Sequence, residues 1–142
     1  MRKNILTKLT MILAAFTIVF TVGTAVSASD DNVCYSYNIK ANAKETYTTS
    51  RYRQTKKTYN PWKVDFAWSG EGAGTKTTYY LALYNSEHEA ASNEYTIKQG
   101  TGAHYYNAFS NASQKNVCLA MKNNNYNSST YYVSGYWDEE TY

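Results

Sequence analysis

Residues 62–68 read Trp-Lys-Val-Asp-Phe-Ala-Trp, and this stretch decides the fold class. Apolar side chains occupy every second position, with Lys63 and Asp65 between them. Because successive side chains of a β-strand point to opposite faces, strict alternation predicts a strand that is buried on one face only. The expected buried row consists of Trp62, Val64, Phe66 and Trp68.

The same alternation recurs on both sides of this stretch. Runs rich in glycine, asparagine and serine separate the rows, as expected for turns. The pattern predicts an all-β protein with a single antiparallel β-sandwich of about eight strands. Residues 86–92 are predicted to form one short helix or a loop, because Ser86 and Glu89 have the spacing of a capping box. The further rows are Tyr35, Tyr37 and Ile39; Tyr79, Leu81 and Leu83; Tyr95 and Ile97; Val117, Leu119 and Met121; and Tyr131, Val133 and Trp137.

The first 28 residues have the composition of a signal peptide. Three basic residues precede an apolar run at 11–22, and small residues lead up to Ala28. We expect cleavage between Ala28 and Ser29, which leaves residues 29–142 as one secreted, extracellular β-sandwich domain. A membrane anchor is the alternative, but the apolar run is short for a bilayer span.

Charge argues against nucleic acid as a partner. The chain has 14 basic and 11 acidic residues, and loss of Arg2, Lys3 and Lys8 with the signal peptide leaves 11 of each. Binding to nucleic acid depends on an excess of lysine and arginine that neutralises phosphates. Any electrostatic binding site in this protein must therefore be local.

Two cysteines, Cys34 and Cys118, lie near the ends of the domain. In an exported protein such a pair favours a disulfide. The alternative is two thiols that act as small hydrophobic side chains. A metal site is not expected, since the cysteines are far apart in the sequence and no histidine is near them.

No sequence motif indicates catalysis or a cofactor. The glycine-rich segment 70–74 lacks the Gly-Lys-Ser/Thr end of a phosphate-binding loop and is better explained as a hairpin loop. His88 lacks the second histidine of a zinc-protease helix, and no Gly-x-Ser-x-Gly elbow occurs. No catalytic residue is predicted. A hydrolase whose site forms only in the folded chain stays open as an alternative.

A basic strip between Lys40 and Lys63 is one candidate binding surface. Basic side chains dominate it and tyrosines are interleaved with them, an arrangement that could bind an anionic envelope polymer or a membrane surface. The alternative is an edge strand and loop whose lysines prevent edge-to-edge pairing. The candidate binding residues here are Arg51, Arg53, Lys56 and Lys57.

Surplus aromatic residues form the second candidate surface. The chain has 16 tyrosines, and several fall out of phase with the predicted core rows. Flat rings exposed on one sheet can stack on sugar rings, or they can pair across strands and stabilise a water-facing sheet. These tyrosines are Tyr80, Tyr84, Tyr106, Tyr132 and Tyr136, of which Tyr80, Tyr106 and Tyr132 are taken as candidate binding residues.

Six short motifs resemble a family of small secreted proteins of bacilli and clostridia that is classed as a domain of unknown function. The resemblance spans nearly all of the domain and implies a Gram-positive source and a secreted product, but it implies no activity and no catalytic residues. The motifs are NPWKV at 60–64, GEGAGT at 70–75, GAHYYNA at 102–108, ASQKNV at 112–117, NNNY at 123–126 and VSGYWDE at 133–139.

The sequence thus supports three hypotheses. The first is a non-catalytic secreted protein that binds a cell-wall polymer, a glycan or a membrane surface through its tyrosines and basic strip. The second is a bacteriocin-like secreted antagonist, which rests on analogy of class alone. The third is the hydrolase with a site that only the fold assembles.

Overall fold

A computed structural model describes residues 30–142, in which nine β-strands and one short 3-10 helix form. The predicted signal peptide and its Ala28–Ser29 cleavage site lie outside the described residues. The 3-10 helix is Ser110–Ala112. The strands are β1 (Val33–Ile39), β2 (Thr46–Tyr47), β3 (Arg51–Tyr52), β4 (Trp62–Ser69), β5 (Lys76–Leu83), β6 (Tyr95–Lys98), β7 (Ala103–Tyr106), β8 (Asn116–Asn123) and β9 (Tyr131–Asp138).

Two antiparallel sheets pack face to face, which confirms the predicted all-β sandwich. One sheet, here called sheet A, has the strand order β1-β9-β4-β7. The other, sheet B, has the order β2-β8-β5-β6, and β3 also pairs with β8. Consecutive strands often lie in different sheets, so that the core between the sheets joins residues that are distant in sequence.

The predicted rows supply the core between the sheets. Val64 and Phe66 of sheet A and Leu81 and Leu119 of sheet B are fully buried. Apolar burial of this kind is the main favourable contribution to folding. Aromatic rings provide much of the volume, as the shortage of aliphatic residues requires. The buried aromatic side chains of this core are Tyr35, Trp62, Phe66, Tyr79, Tyr131 and Trp137.

The prediction for Trp68 is wrong, because β4 contains a bulge. Phe66 pairs with Gly135 of β9 and Trp68 pairs with the adjacent Ser134, so that Ala67 is an extra residue in the ladder. A bulge shifts the inside-outside alternation by one residue. Trp68 is consequently 53% exposed, whereas Ser69 is buried.

Two loop predictions have different outcomes. Residues 86–92 adopt the loop alternative, in which Ala90 forms an isolated bridge to Ala82 of β5. The glycine-rich segment 70–74 joins β4 of sheet A to β5 of sheet B, so it is a crossing between sheets and not the predicted hairpin loop. Gly72 and Gly74 have φ values of 95° and 91°, which explains why glycine occupies both positions.

Candidate functional site

Three exposed aromatic side chains on the outer face of sheet A, Trp68, Tyr132 and Tyr136, belong to the adjacent strands β4 and β9, and we call them the aromatic face. Their exposed fractions are 53%, 58% and 43%. Tyr105 of β7, which lies opposite Lys63, is a fourth exposed aromatic side chain on this side of the sheet. Tyr132 and Tyr136 lie on β9 with Ser134 between them, and Trp68 is the partner of Ser134 on β4. The two tyrosines are four residues apart, which corresponds to about 13 Å along the strand. The aromatic face is thus longer than a single six-membered ring.

A shallow open depression of about 280 Å³ lies within this face. Small side chains line most of it, and Tyr136 stands at its rim. Ser36 and Ser134 place hydroxyl groups at the depression. Flat rings beside a polar, small-residue floor can hold a ligand that has both apolar faces and hydroxyl groups. The lining residues are Cys34, Tyr35, Ser36, Ala67, Ser134, Gly135 and Tyr136.

The bulge also organises the layer beneath the depression. The backbone carbonyl of Asp65 accepts a hydrogen bond of 3.0 Å from the hydroxyl of Tyr35, and the Tyr35 and Tyr79 hydroxyl oxygens are 3.0 Å apart. Because a hydroxyl has one proton and a carbonyl can only accept, Tyr35 donates to Asp65 and accepts from Tyr79. Burial raises the pKa of both tyrosines well above the ordinary value. These two hydrogen bonds link β1, β4 and β5 in the core beneath the depression.

The aromatic face is poor in charge. Asp65, half-buried, lies opposite Tyr136 in the register between β4 and β9. Lys63 projects from the same side of β4, but it is only 3% exposed and its ammonium group pairs with Asp30. A negatively charged ligand would therefore find a carboxylate and an already neutralised lysine at this surface.

Of the three tyrosines predicted as binding residues, only Tyr132 lies exposed on the aromatic face. Tyr80 is on the outer face of sheet B, as predicted, yet it is 6% exposed, because Tyr47 and the small residues Ala82, Cys118 and Ala120 pack around it. Burial raises its pKa above the ordinary tyrosine value. The prediction that the Tyr80 ring is available to a ligand is wrong.

Tyr106 has a structural position at the side of the sandwich. Its ring stacks on that of Tyr95 with centroids 3.6 Å apart and lies 5.3 Å from the ring of Trp62. Tyr95 belongs to the edge strand of sheet B and Tyr106 to the edge strand of sheet A. The pair closes this side of the core, so the prediction that Tyr106 faces away from the core is wrong.

The basic strip is only partly a free surface. Arg53 is 1% exposed, and its guanidinium donates to the backbone carbonyls of Glu139, Asn60 and Lys57. Burial lowers the pKa of Arg53 despite nearby carboxylates, and a guanidinium remains charged nonetheless. The prediction that Arg53 is an exposed binding residue is therefore wrong.

Arg51 is half-buried and already paired. It donates to the carboxylate of Glu139, which is 6% exposed, and to Asp31 at 3.0 Å. The hydrogen bond to Glu139 is the main cause that raises the pKa of Arg51. Lys56 and Lys57 are exposed, as predicted, and the Lys57 ammonium lies 5.7 Å from the centroid of the Tyr59 ring. Two lysines thus remain of the four predicted cationic residues.

The predicted disulfide does not form in the structure, where both cysteines are free. Cys34 projects from the outer face of sheet A, whereas Cys118 belongs to the packed cluster on the outer face of sheet B. The sandwich core separates the two thiols, so they cannot bond without unfolding. Burial raises the pKa of the Cys118 thiol to about 12, which makes it unreactive in the folded protein.

The described residues offer little for other site chemistries. Within residues 30–142, no group of three or more histidine, cysteine or acidic residues is placed to hold a metal ion. Over the same range no helix has the length and apolarity needed to cross a membrane. The ring of His88 stacks on Tyr47 with centroids 4.0 Å apart, and His104 lies 2.8 Å from the Thr101 hydroxyl.

Sequence reasoning included Tyr136 in the second candidate surface without taking it as a binding residue, and it missed Trp68. The outward position of Tyr136 follows from its phase relative to Val133 and Trp137, and that signal was available. The exposure of Trp68 depends on the bulge, which the strict alternation of residues 62–68 conceals. A tryptophan that ends an apolar row gives no local indication of which face it will occupy.

Comparison with known proteins yields one match. A family model described as "Protein of unknown function (DUF2712)" matches residues 22–141. No curated protein matches significantly. No solved structure matches either.

Proposed function

The chain belongs to the family of proteins of unknown function DUF2712, and from this premise we propose that it is a secreted, non-catalytic protein that binds a glycan through the aromatic face of sheet A. Export is part of this proposal and rests on the pattern of residues 1–28, and a Gram-positive source is part of it and rests on the family resemblance of the six motifs. The exposed row of Trp68, Tyr132 and Tyr136 is the observation that carries the glycan assignment.

Exposed aromatic rings on a rigid sheet suit sugars for a physical reason. The C–H faces of a pyranose ring are apolar, while its edges carry hydroxyl groups, so that a flat ring below and polar groups beside it satisfy both. Trp68 and Tyr132 supply the rings, and the hydroxyls of Ser36 and Ser134 supply the polar groups. The spacing along β9 favours a polysaccharide over a monosaccharide.

Charge favours a neutral glycan over an anionic polymer. The carboxylate of Asp65 adjoins the aromatic face, and Lys63 is buried in its ion pair with Asp30. Lys56 and Lys57 lie in the segment between β3 and β4, which is outside the aromatic face. We therefore expect binding that is insensitive to salt, because stacking does not depend on screened charge.

The test is a sedimentation assay on insoluble cell-wall glycan from which anionic polymers have been removed. Trp68→Ala and Tyr132→Ala should each weaken binding by about threefold to tenfold, the range that one aromatic contact contributes. Tyr126→Ala is the matched control, since Tyr126 is 82% exposed but belongs to the loop between β8 and β9 and to neither sheet.

Salt and charge variants complete the assay. Raising the ionic strength, or replacing Lys56 and Lys57 together with glutamine, should leave binding unchanged. If the aromatic variants bind like the parent, or if salt releases the protein, then the aromatic face is not the binding surface. Loss of binding in the Tyr126 control would count against the assignment as well, because it would show that any tyrosine contributes.

A further inference from the structure

Within residues 30–142, strand β1 pairs with β9 alone, so one edge of sheet A is open along β1 in the part of the chain that the structure describes. Strand β1 pairs with β9 in an unbroken register from Val33–Trp137 to Ile39–Tyr131. The backbone N–H of Gly70, just beyond β4, bonds to the carbonyl of Tyr132 on β9. Because backbone groups of successive strand residues point to opposite sides, the even-numbered residues of β9 direct theirs to β4 and the odd-numbered residues direct theirs to β1. By the alternation of antiparallel ladders, odd-numbered residues of β1 bond to β9. Cys34, Ser36 and Asn38 therefore direct their N–H and C=O groups to the open edge.

A second contact supports this orientation. The carbonyl of Asn38 accepts a hydrogen bond of 3.3 Å from the Thr46 hydroxyl of β2, a strand of sheet B, so this carbonyl has a partner other than β9. A carbonyl oxygen has two lone pairs, so Asn38 can still accept from another strand. Cys34, Ser36 and Asn38 are all exposed.

The β1 edge lacks the features that keep strands from pairing with other chains. Natural edges are protected by shortness, charged side chains, proline or bulges. Strand β1 has seven residues without a charge, a proline or a bulge. In contrast, β6 and β7 have four residues each, with lysine at the end of β6, and β2 and β3 have two residues each.

The sequence of β1 is nearly symmetric about its centre. It reads Val-Cys-Tyr-Ser-Tyr-Asn-Ile over residues 33–39. On each side of Ser36 the order outward is a tyrosine, then a small residue (Cys34 or Asn38), then a β-branched residue. A two-fold axis makes each residue of one strand meet its mirror position in the other. This symmetry singles out a second copy of the chain as the partner that fits the edge.

We propose that the protein forms a two-fold dimer by antiparallel pairing of β1 with the partner's β1, centred on Ser36. Ser36 then lies opposite its own copy, Cys34 lies opposite the copy of Asn38, and Tyr35 lies opposite the copy of Tyr37. Such a ladder adds about six backbone hydrogen bonds. The partner strand would also bury more of the side chains of Val33 and Tyr37, which are only half-buried in one chain.

The dimer has a consequence for the outer surface. The two copies of sheet A join into one continuous sheet, and their aromatic faces lie on the same side of it, because the axis is perpendicular to the sheet. Two ligand-binding faces on one rigid surface would increase avidity for a polymer. The pairing itself does not depend on the proposed glycan function, and its test uses no ligand.

Engineered cysteines test both the partner and the register. In a paired ladder the α-carbons of opposed residues are about 5.5 Å apart, a distance that a disulfide can span. Oxidation with diamide, which takes up the two electrons and two protons from a thiol pair, should cross-link the double variant Cys34→Ser, Ser36→Cys. It should also cross-link Asn38→Cys with native Cys34 present.

Two controls define the expected pattern. The parent and the double variant Cys34→Ser, Asn38→Cys should not cross-link, because their equivalent thiols would be four positions apart, about 13 Å along the strand. Ser36→Pro removes the central N–H donor and leaves the bonds to β9 intact. It should weaken dimerisation about tenfold or more in sedimentation experiments, without loss of the β-sheet circular dichroism spectrum.

Three results would overturn the proposal. The first is a parent protein that sediments as a monomer at every concentration, with no cross-link in the Ser36→Cys variant. The second is a dimer that cross-links equally in all four cysteine backgrounds, since that would indicate random collision or a different interface. The third is a dimer that the Ser36→Pro variant retains in full.

Discussion

Gly135 lies directly against the backbone carbonyl of Asp65, so closely that a β-carbon at position 135 would overlap the carbonyl oxygen. The same β-carbon would lie 2.9 Å from the hydroxyl oxygen of Tyr35. The bulge in β4 turns the Asp65 carbonyl toward this point, and Tyr35 satisfies it with a hydrogen bond. Glycine is therefore required here for space, in the middle of a strand where it would otherwise be unfavourable.

Replacement of Gly135 with alanine should destabilise the protein severely. Backbone cannot yield as a flexible side chain can, so we expect a loss of about 3 kcal/mol or more in the free energy of unfolding, or failure to fold. Urea denaturation measures the loss. Gly70→Ala is the control, because the nearest atom to a β-carbon there is 3.6 Å away and the change should be mild. Equal losses in the two variants would contradict the steric account.

Arginine and lysine residues of the basic strip should differ sharply in their effect on stability. Arg53→Gln removes a buried cation that donates to three backbone carbonyls, which should cost about 3 kcal/mol. Lys56→Gln should change the free energy of unfolding by less than about 0.5 kcal/mol, because Lys56 is exposed. Thermal denaturation of the two variants decides between a structural and a docking role for Arg53. An Arg53 variant as stable as the parent would show that these three hydrogen bonds make no net contribution to stability.

Asp138 should make stability fall as pH rises. Burial raises the pKa of its carboxyl from 3.8 to about 7, with a further contribution from Glu139, although backbone N–H groups of Asp31 and Glu140 oppose the shift. Because the folded pKa is above the unfolded one, the contribution to stability is full below about pH 4 and is lost as pH rises through about 7. The slope from this group is at most about 1.4 kcal/mol per pH unit.

Denaturation between pH 5 and 8 tests this dependence. Asp138→Asn cannot titrate, so the difference in stability between parent and variant should change over this range in the direction that favours the parent at low pH. Comparing the two proteins removes the effect of the other titrating groups, because those groups are common to both. A difference that is independent of pH would show that Asp138 keeps an ordinary pKa in the folded protein.

The two cysteines should react at very different rates. Cys34 is exposed, so one thiol per chain should react with a maleimide in the folded, unreduced protein. Cys118 is fully buried and its pKa is raised to about 12, so the second thiol should react only after denaturation. Mass spectrometry counts the labels. If denatured, unreduced protein takes up no label, a disulfide is present and the free-thiol arrangement is wrong.

The amino-acid sequence alone was sufficient to predict the sandwich and most of its core. Burial of alternate residues is a property of the strand itself, so the rows around Phe66, Leu81 and Leu119 can be recognised from residue type and spacing. The same alternation of buried and exposed positions placed Tyr132 on an outer face. It could not place Trp68, because the bulge that turns Trp68 outward arises where β4 meets Gly135 of a strand that is distant in sequence.

Tertiary contacts decided which outward residues are available to a ligand. Tyr80 and Arg53 both have a residue type and a position in the sequence pattern that are typical of the surface. Tyr47 and its neighbours nevertheless cover Tyr80. Arg53 is held by the backbone at Glu139, just after β9. Cys34 and Cys118 have a sequence spacing that is compatible with a disulfide, but they project from opposite outer faces. Exposure depends on what the rest of the chain brings to a position, and this information is not local.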